Sequence, residues 1–431
     1  MSGGVRRPSR GWTLGIVAAV VVLGGGYLAW NGTAESFTGP DPTVSADGSC
    51  AGGAPSAVLA FDAETGSPRW SARVGEAWQL ELAEGSVTTA GPSGLRTLDV
   101  ADGRARWCSD DVPVVGVVAA GGTVISSGGN RVVGRRARDG SRLWSRSGEG
   151  DWIESDGTVA VLHEGFGGDR QLVRGLDPAS GRQIWRYETP GTQIGLMPLA
   201  PFLRADGPGL TFVHDTIGVV AAGATGDGAD AARWEAGLFR PIGVSGDRVV
   251  GGVAESFSDP LTRFTLEVRN VSTGAIAWRR SVPGFDSRVV GGTIVVVSST
   301  DRRDAPEYDG TWNTTEAAVS PASSKSRTIA TGYDPADGTE LWQRRLPFAA
   351  QVHAIGDAAM VWIPADDGDS DSRLLALDAA SGAVTWRATL SNPSRSRHYH
   401  LADQMDAAVY DEATGTVMVL VRAGEPYVHR D

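Results

Sequence analysis

Residues 177–185 read DPASGRQIW. An Asp, a Gly four positions on and a Trp four beyond that make a phrase that returns as DAETGSPRW (62–70), DVADGRARW (99–107), DPADGTELW (334–342) and DAASGAVTW (378–386). Three looser copies fill the gaps. RARDGSRLW (136–144) replaces the Asp by Arg136 and keeps Gly140 and Trp144. NVSTGAIAW (270–278) replaces it by Asn270 and keeps Gly274 and Trp278, and AARWEAG keeps Trp234 behind a degenerate turn, ATGDGADA. The tryptophans of the series are Trp70, Trp107, Trp144, Trp185, Trp234, Trp278, Trp342 and Trp386. They stand 37 to 49 residues apart, except for an interval of 64 before Trp342. That interval holds SSTDRRDAPEYDGTWNTTEAAVSPASSKSR (298–327), which reads as an inserted loop.

Each part of the phrase has a physical role. Apolar runs such as VLAF (58–61) and LLAL (374–377) precede it and read as strands. The Asp (Asp62, Asp99, Asp177, Asp334, Asp378) starts a tight turn by accepting backbone N–H groups ahead of it. Pro178 and Pro335 preset the backbone angle that the next turn position needs. The Gly (Gly66, Gly103, Gly140, Gly181, Gly274, Gly338, Gly382) takes the left-handed conformation that other residues resist. The Trp then falls on the following strand, where one large ring buries about 150–250 Å².

Elsewhere the chain alternates short apolar runs with Gly, Asp and Ser turns, as in VVGVVAAGGTVISSGG (114–129), DGTVAVLHEG (156–165), GDRVVGGVAES (246–256) and RVVGGTIVVVSS (288–299). Units of about 40–50 residues with four strands each predict an all-β propeller of four-stranded antiparallel blades, in which every Trp docks one blade on the next. DAAVYDEATGTVMVLV (406–421) reads as a hairpin around Asp411–Gly415, with Val419 where a Trp would stand. These last strands are expected to complete the blade begun by residues 57–73. The ring then has eight blades and no open edge.

Before the repeats, Arg6, Arg7 and Arg10 precede WTLGIVAAVVVLGGGYLAW (12–30), which carries no charge. Nineteen residues at 1.5 Å each cross a hydrocarbon core of about 30 Å. Trp12, Tyr27 and Trp30 mark the two interfaces, and arginines before the span with Glu35 and Asp41 after it place residues 1–11 in the cytoplasm. A cleaved signal peptide is the rival reading, but its apolar stretch is usually shorter and LAWNGTAES offers no small-x-small cleavage site. Residues 31–55 are rich in Gly, Pro, Ser and Thr and read as a flexible stalk, 56–423 as the propeller and 424–431 as a tail. The expected location is the cytoplasmic membrane, single-pass, with the propeller outside. That compartment permits oxidation, so a disulfide between the two cysteines, Cys50 and Cys108, is expected, two unpaired thiols being the alternative. A net charge of −12 excludes a nucleic-acid partner, which needs a basic stripe.

AFDAETGSPRW, GLDPASGRQIW, GYDPADGTELW and ALDAASGAVTW resemble the tryptophan-docking repeat of the PQQ-like (quinoprotein-type) β-propeller superfamily, over roughly residues 57–422. The resemblance implies the fold. It leaves function between quinoprotein dehydrogenases, which hold PQQ with calcium at the propeller mouth, and non-enzymatic propellers such as the outer-membrane assembly lipoprotein BamB. Adjacent cysteines and the long inserted loops of the dehydrogenases are missing here, and no calcium ligand set can be placed. DDGDSDS (366–372) lacks the spacing of a calcium loop. His398 and His400 are two residues where zinc needs more, and NTT (313–315) is a glycosylation acceptor only in a host that modifies it. We therefore expect no catalytic, cofactor-binding or metal residues, and neither PQQ nor calcium. The reading is a membrane-anchored binding or scaffold module for an unidentified envelope protein or ligand. The alternative is a PQQ- and calcium-dependent dehydrogenase or small-ligand sensor using the central funnel.

Overall fold

A computed structural model describes residues 56–423 except 93, 110–115, 129–130, 148–151, 156, 165–169, 191–202, 206–209, 216–217, 224–231, 238, 255–263, 283–285, 300–327, 347–350, 364–371 and 391–400. The expected span 12–30, the stalk, Cys50, the tail, the histidines 398 and 400, the 313–315 acceptor and nearly all of DDGDSDS lie outside these residues. Among the described residues no helix is long and apolar enough to cross a membrane.

The described chain forms eight four-stranded antiparallel sheets. Each is named here by its tryptophan. The Trp107 sheet is typical: its strands Gln79–Ala83, Ser86–Gly91, Gly94–Asp99 and Ala105–Ser109 pair in chain order, the first innermost and the Trp strand outermost. Two-residue turns such as Glu84–Gly85 join first to second strands, and the Asp-to-Gly phrase joins third to fourth. The second strands SVTTAG (86–91) and TVISSG (123–128) are buried along their whole length, because sheets cover them on both faces. Outer strands alternate exposed and half-buried positions, as RLWSRS (142–147) does, since only one face is covered.

The Trp70 sheet joins both ends of the described chain, in the order Pro68–Val74, Ser56–Asp62, Thr416–Ala423, Leu401–Asp411. Ala60 pairs with Met418, and Asp62 with Thr416. The C-terminal hairpin therefore supplies the two inner strands, and Trp70 is that sheet's tryptophan. Val419 belongs to a fully buried inner position, where an indole has no room. Innermost strands of successive sheets lie side by side, Gln79–Ala83 between Gly116–Ala120 and Leu401–Asp411, and Asp286–Val290 between Phe239–Ser245 and Gln351–Ile355. The core is a series of apolar layers between sheets. In one of them Val58, Trp70 and Leu420 of the Trp70 sheet meet Leu80, Val87 and Leu98 of the next. This arrangement is a β-propeller.

Candidate functional site

The recurring phrase builds a joint with four parts. The first is the turn. Asp62 Oδ1 accepts the N–H groups of Glu64 at 3.1 Å and Thr65 at 2.9 Å, and Asp177 Oδ1 those of Ala179 at 2.8 Å and Ser180 at 3.1 Å. Asn270 does the same for Ser272 and Thr273, so the amide oxygen replaces the carboxylate without loss of the turn. Where Arg136 stands, Asp139 accepts the Ser141 N–H at 2.9 Å, a bond that Asp102 and Asp337 also make in copies that keep the first Asp. The Arg69 guanidinium beside Asp62, with the Thr65 bonds, holds its carboxyl down at about 2.

The second part is a bulge. In every sheet the register between third and fourth strands slips by one residue just before the Trp, at Arg69, Arg106, Leu143, Ile184, Arg233, Ala277, Leu341 and Thr385. The extra residue re-aims the indole toward the neighbouring sheet.

The third is the indole contact. Trp70 Nε1 donates to Val100 O at 2.7 Å, Trp107 to Ala137 O at 2.6 Å, Trp144 to Pro178 O at 2.7 Å, Trp278 to Pro335 O at 2.9 Å and Trp342 to Ala379 O at 2.7 Å. Each acceptor follows the first residue of the next sheet's turn. Trp386 completes the cycle by donating to Ala63 O of the Trp70 sheet at 2.6 Å. Each ring lies on the turn glycine of that next sheet. A Cβ at Gly103 would stand 2.5 Å from the Trp70 ring, and one at Gly66 2.7 Å from Trp386. With φ of +72° and +70°, these glycines are required twice over, by conformation and by the ring. Gly140, Gly181, Gly338 and Gly382 meet Trp107, Trp144, Trp278 and Trp342 in the same way.

The fourth part escaped the sequence reading. Two residues after the Trp, Arg146, Arg280 and Arg344 donate to the carbonyls of Gly181 at 2.7 Å, Gly338 at 2.8 Å and Gly382 at 2.8 Å. The signal was a W-x-R extension shared by three copies. Trp185 is buried at its joint. Gly274 has the left-handed φ of its class, and Trp234 stands on the outer strand Ala232–Gly237, its side chain outside the described set. Cys108, on the outer strand of the Trp107 sheet, is disulfide-bonded, and the sequence contains one other cysteine, Cys50.

Ionisable residues gather instead on the innermost strands, at one shared register position near the propeller axis. Opposite the second-strand residues Thr88, Val161, Val295 and Met360 stand Glu81, Glu154, Arg288 and His353. Val118, Gly243 and Val409 occupy that position in three other sheets. Glu81 accepts the Ala119 N–H of the next sheet, and burial pushes its carboxyl up to about 8. Two residues earlier the buried Gln79 Oε1 accepts the Val117 N–H at 2.8 Å. These two side chains thus stand in for a strand partner along the inner edge of Gly116–Ala120. Burial, helped by the charge of Arg288, holds His353 down at about 3. Both Glu81 and His353 are half-buried. His163 Nε2 lies 3.7 Å from Glu154 Oε2, both side chains nearly buried. No spacing rule finds these residues, because each is confined to a single blade and has no repeated neighbour.

On the turn side, a depression of about 300 Å³ is bounded by Gly121, Thr158, Asp177, Pro178, Ala179 and Ile184. Its one carboxylate, Asp177, already caps its own turn. Among the described residues no three His, Cys, Asp or Glu side chains converge on a point where a metal could sit.

The family described as "Outer membrane protein assembly factor BamB" matches residues 14–161 and 169–425. No curated protein matches the chain. Solved structures similar to it include the quinohemoprotein alcohol dehydrogenase ADHIIG from Pseudomonas putida HK5, 14% identical over 81% of this chain and 75% of that one, with a TM-score of 0.44. BamB from Moraxella catarrhalis is 13% identical over 86% of this chain and 92% of its own, with a TM-score of 0.35. The computationally designed Ika8 protein is 15% identical over 80% of this chain and 96% of its own, with a TM-score of 0.49.

Proposed function

The chain belongs to the family described as outer membrane protein assembly factor BamB, and from that premise we propose that it is a single-pass protein of the cytoplasmic membrane. Its extracytoplasmic eight-bladed propeller binds a protein partner or envelope ligand as a scaffold and carries no catalysis of its own. Eight four-stranded sheets and the Trp386-to-Ala63 bond support the blade number. The uncharged stretch 12–30 behind Arg6, Arg7 and Arg10 supports the anchor.

One observation carries the binding role. Among the described residues the recurrent polar pattern is occupied in holding blade to blade: its aspartates cap turns, its glycines seat indoles and its arginines bond glycine carbonyls. A rigid ring with differing loops suits recognition. The test is photo-crosslinking of the full chain in its native membrane, with mass spectrometry of the adducts. A discrete set of envelope proteins, lost when the segments 255–263 and 300–327 are shortened, is the expected result. Dye-linked oxidation of an alcohol or sugar after reconstitution with PQQ and calcium would sink the reading.

The axial position that holds Glu81, Arg288 and His353 favours one second reading, a small polar ligand in the central funnel. A melting-temperature shift by such a ligand that vanishes in Arg288→Ala would favour it.

A further inference from the structure

The outer strands reverse the charge balance of the chain. Over the whole sequence Asp and Glu number 51 against 39 Lys and Arg. On the eight outer strands there are 12 arginines and three glutamates. The acids concentrate on the turn side, in the phrase itself and in the adjoining hairpin turns that bond to it, such as Val100 N to Gly85 O and Ala379 N to Asp357 O. Charge of either sign guards an exposed strand edge against pairing. An acid-rich chain that uses almost only arginine there has a second reason for the sign.

Several of these arginines have work inside the ring. Arg69 and Arg106 pair with Asp62 and Asp99 at 2.7 Å, and Arg146, Arg280 and Arg344 form the joints described above. Arg73, Arg142, Arg186, Arg345 and Arg387 are different. Each is exposed, and none forms an ion pair among the described residues. Three of them, Arg345, Arg387 and Arg73, stand on three consecutive sheets, because Trp342 docks on the Trp386 sheet and Trp386 on the Trp70 sheet. The one glutamate on these strands, Glu340, lies 3.7 Å from Arg280. Arg73 pairs with Ala57 and Arg345 with Ile329, so both sit at the end of their sheets away from the acidic turns. Ser56, where the described chain begins, is at that same end and one register step from Arg73.

We propose that this arc of the rim, Arg73, Arg345 and Arg387, rests on an anionic phospholipid surface and orients the tethered ring with its acidic turns away from the bilayer. The proposal rests on the anchor reading. On the anchor reading, a chain of 25 residues, 31–55, with the composition of a linker has an r.m.s. reach of about 25–30 Å, which holds an arc beside Ser56 within range of headgroup phosphates. Guanidinium groups bind phosphate oxygens with paired hydrogen bonds. Each contributes about a fivefold gain near an anionic surface, so three together give about 100-fold.

The full chain is inserted in supported bilayers of phosphatidylcholine, with or without phosphatidylglycerol, and the height of the propeller is read by neutron reflectometry. On the anionic bilayer the ring is expected against the headgroups. It is expected to move outward by up to the reach of the stalk on the neutral bilayer, in high salt, or in the R73E/R345E/R387E variant, whose melting temperature should match the parent's since all three sites are exposed. A height independent of lipid charge and of the three substitutions would overturn the proposal, as would equal binding of parent and variant to anionic lipid alongside a loss of binding to soluble polyphosphate. The anchor is tested separately by flotation with neutral vesicles in high salt. If the chain fails to float there, the arc is judged by its affinity for phosphatidylglycerol vesicles, which must fall by at least about 100-fold in the variant.

Discussion

Replacing Glu81 by Gln separates burial of a carboxyl from packing of its side chain. Glu81 lies on the inner strand Gln79–Ala83 and accepts the Ala119 N–H; burial raises its carboxyl and that bond opposes the rise. The hydroxyls on the same side, Thr88 and Thr97, are bonded to each other at 2.8 Å. Burial lifts the carboxyl from 4.5 to about 8. Between those values the folded chain keeps a proton that the unfolded chain gives up. The stability Glu81 contributes is therefore complete below pH 4.5 and is lost as pH rises through 8. The full shift corresponds to about 5 kcal/mol. Axial water reaching the partly exposed side chain screens the charge, so we expect about half, ~2.5 kcal/mol. With an unfolding entropy of about 2.1 cal/mol/K per residue over the propeller, that lowers the Tm by roughly 3 °C between pH 5 and pH 9. Gln keeps the amide oxygen that accepts the Ala119 N–H and cannot ionise. Melting followed by circular dichroism should show this alkaline decline in the parent and lose it in Glu81→Gln. A variant that declines as steeply as the parent would refute the argument that Glu81 is folded as a neutral acid.

Three other outcomes follow from the same geometry. His353, held down at about 3 from 6.5, contributes stability present above pH 6.5 and lost as pH falls toward 3, so His353→Gln should flatten the acid side of the same melting profile. Gly103→Ala places a Cβ 2.5 Å from the Trp70 ring at φ +72°, whereas Gly85→Ala at φ +67° meets nothing within 4 Å. Denaturant titration should give a loss of about 1 kcal/mol for Gly85→Ala, a left-handed strain alone, and at least twice that for Gly103→Ala; equal losses would mean that the ring is not seated on the glycine. Trp386→Ala should cost about 3–5 kcal/mol and raise hydrogen exchange first in the strands Ser56–Asp62 and Thr416–Ala423, which lie across that joint; uniform exchange through the ring would contradict a closing role for Trp386.

The parts of the fold legible in the sequence are those that every blade needs. Asp177, Gly181 and Trp185 repeat because a tight turn, a left-handed residue and an interblade ring are required once per sheet, and repetition turns a weak local preference into a strong global one. The C-terminal hairpin was legible for the opposite reason. Its turn at Asp411–Gly415 looked like the phrase but had Val419 in place of a Trp, and the structure gives that position to a buried inner strand. The bulge before each Trp was not legible, because its residue is Arg, Leu, Ile, Ala or Thr in different sheets. An irregularity in backbone pairing needs no fixed side chain. Gln79 and Glu81 were hidden as well, since capping a neighbour's amides depends on which sheets lie side by side, and QLELA alone reads as an ordinary half-buried strand.

The same logic locates where function has to be sought. At the Trp position packing dictates the residue, and the ring keeps one side chain around its whole circumference. At the shared axial position the residues are Glu81, Val118, Glu154, Leu203, Gly243, Arg288, His353 and Val409. Val or Gly fills that space in three sheets, so packing requires no ionisable group in the others. A neutral acid at Glu81 and an uncharged imidazole at His353 each cost stability on one side of neutrality, which an apolar residue would not. The exposed arginines of the rim follow the same pattern, differing between sheets where the joint arginines agree. Uniform positions report how the propeller closes, and the positions where blades disagree are those at which a variant can alter binding without opening the ring.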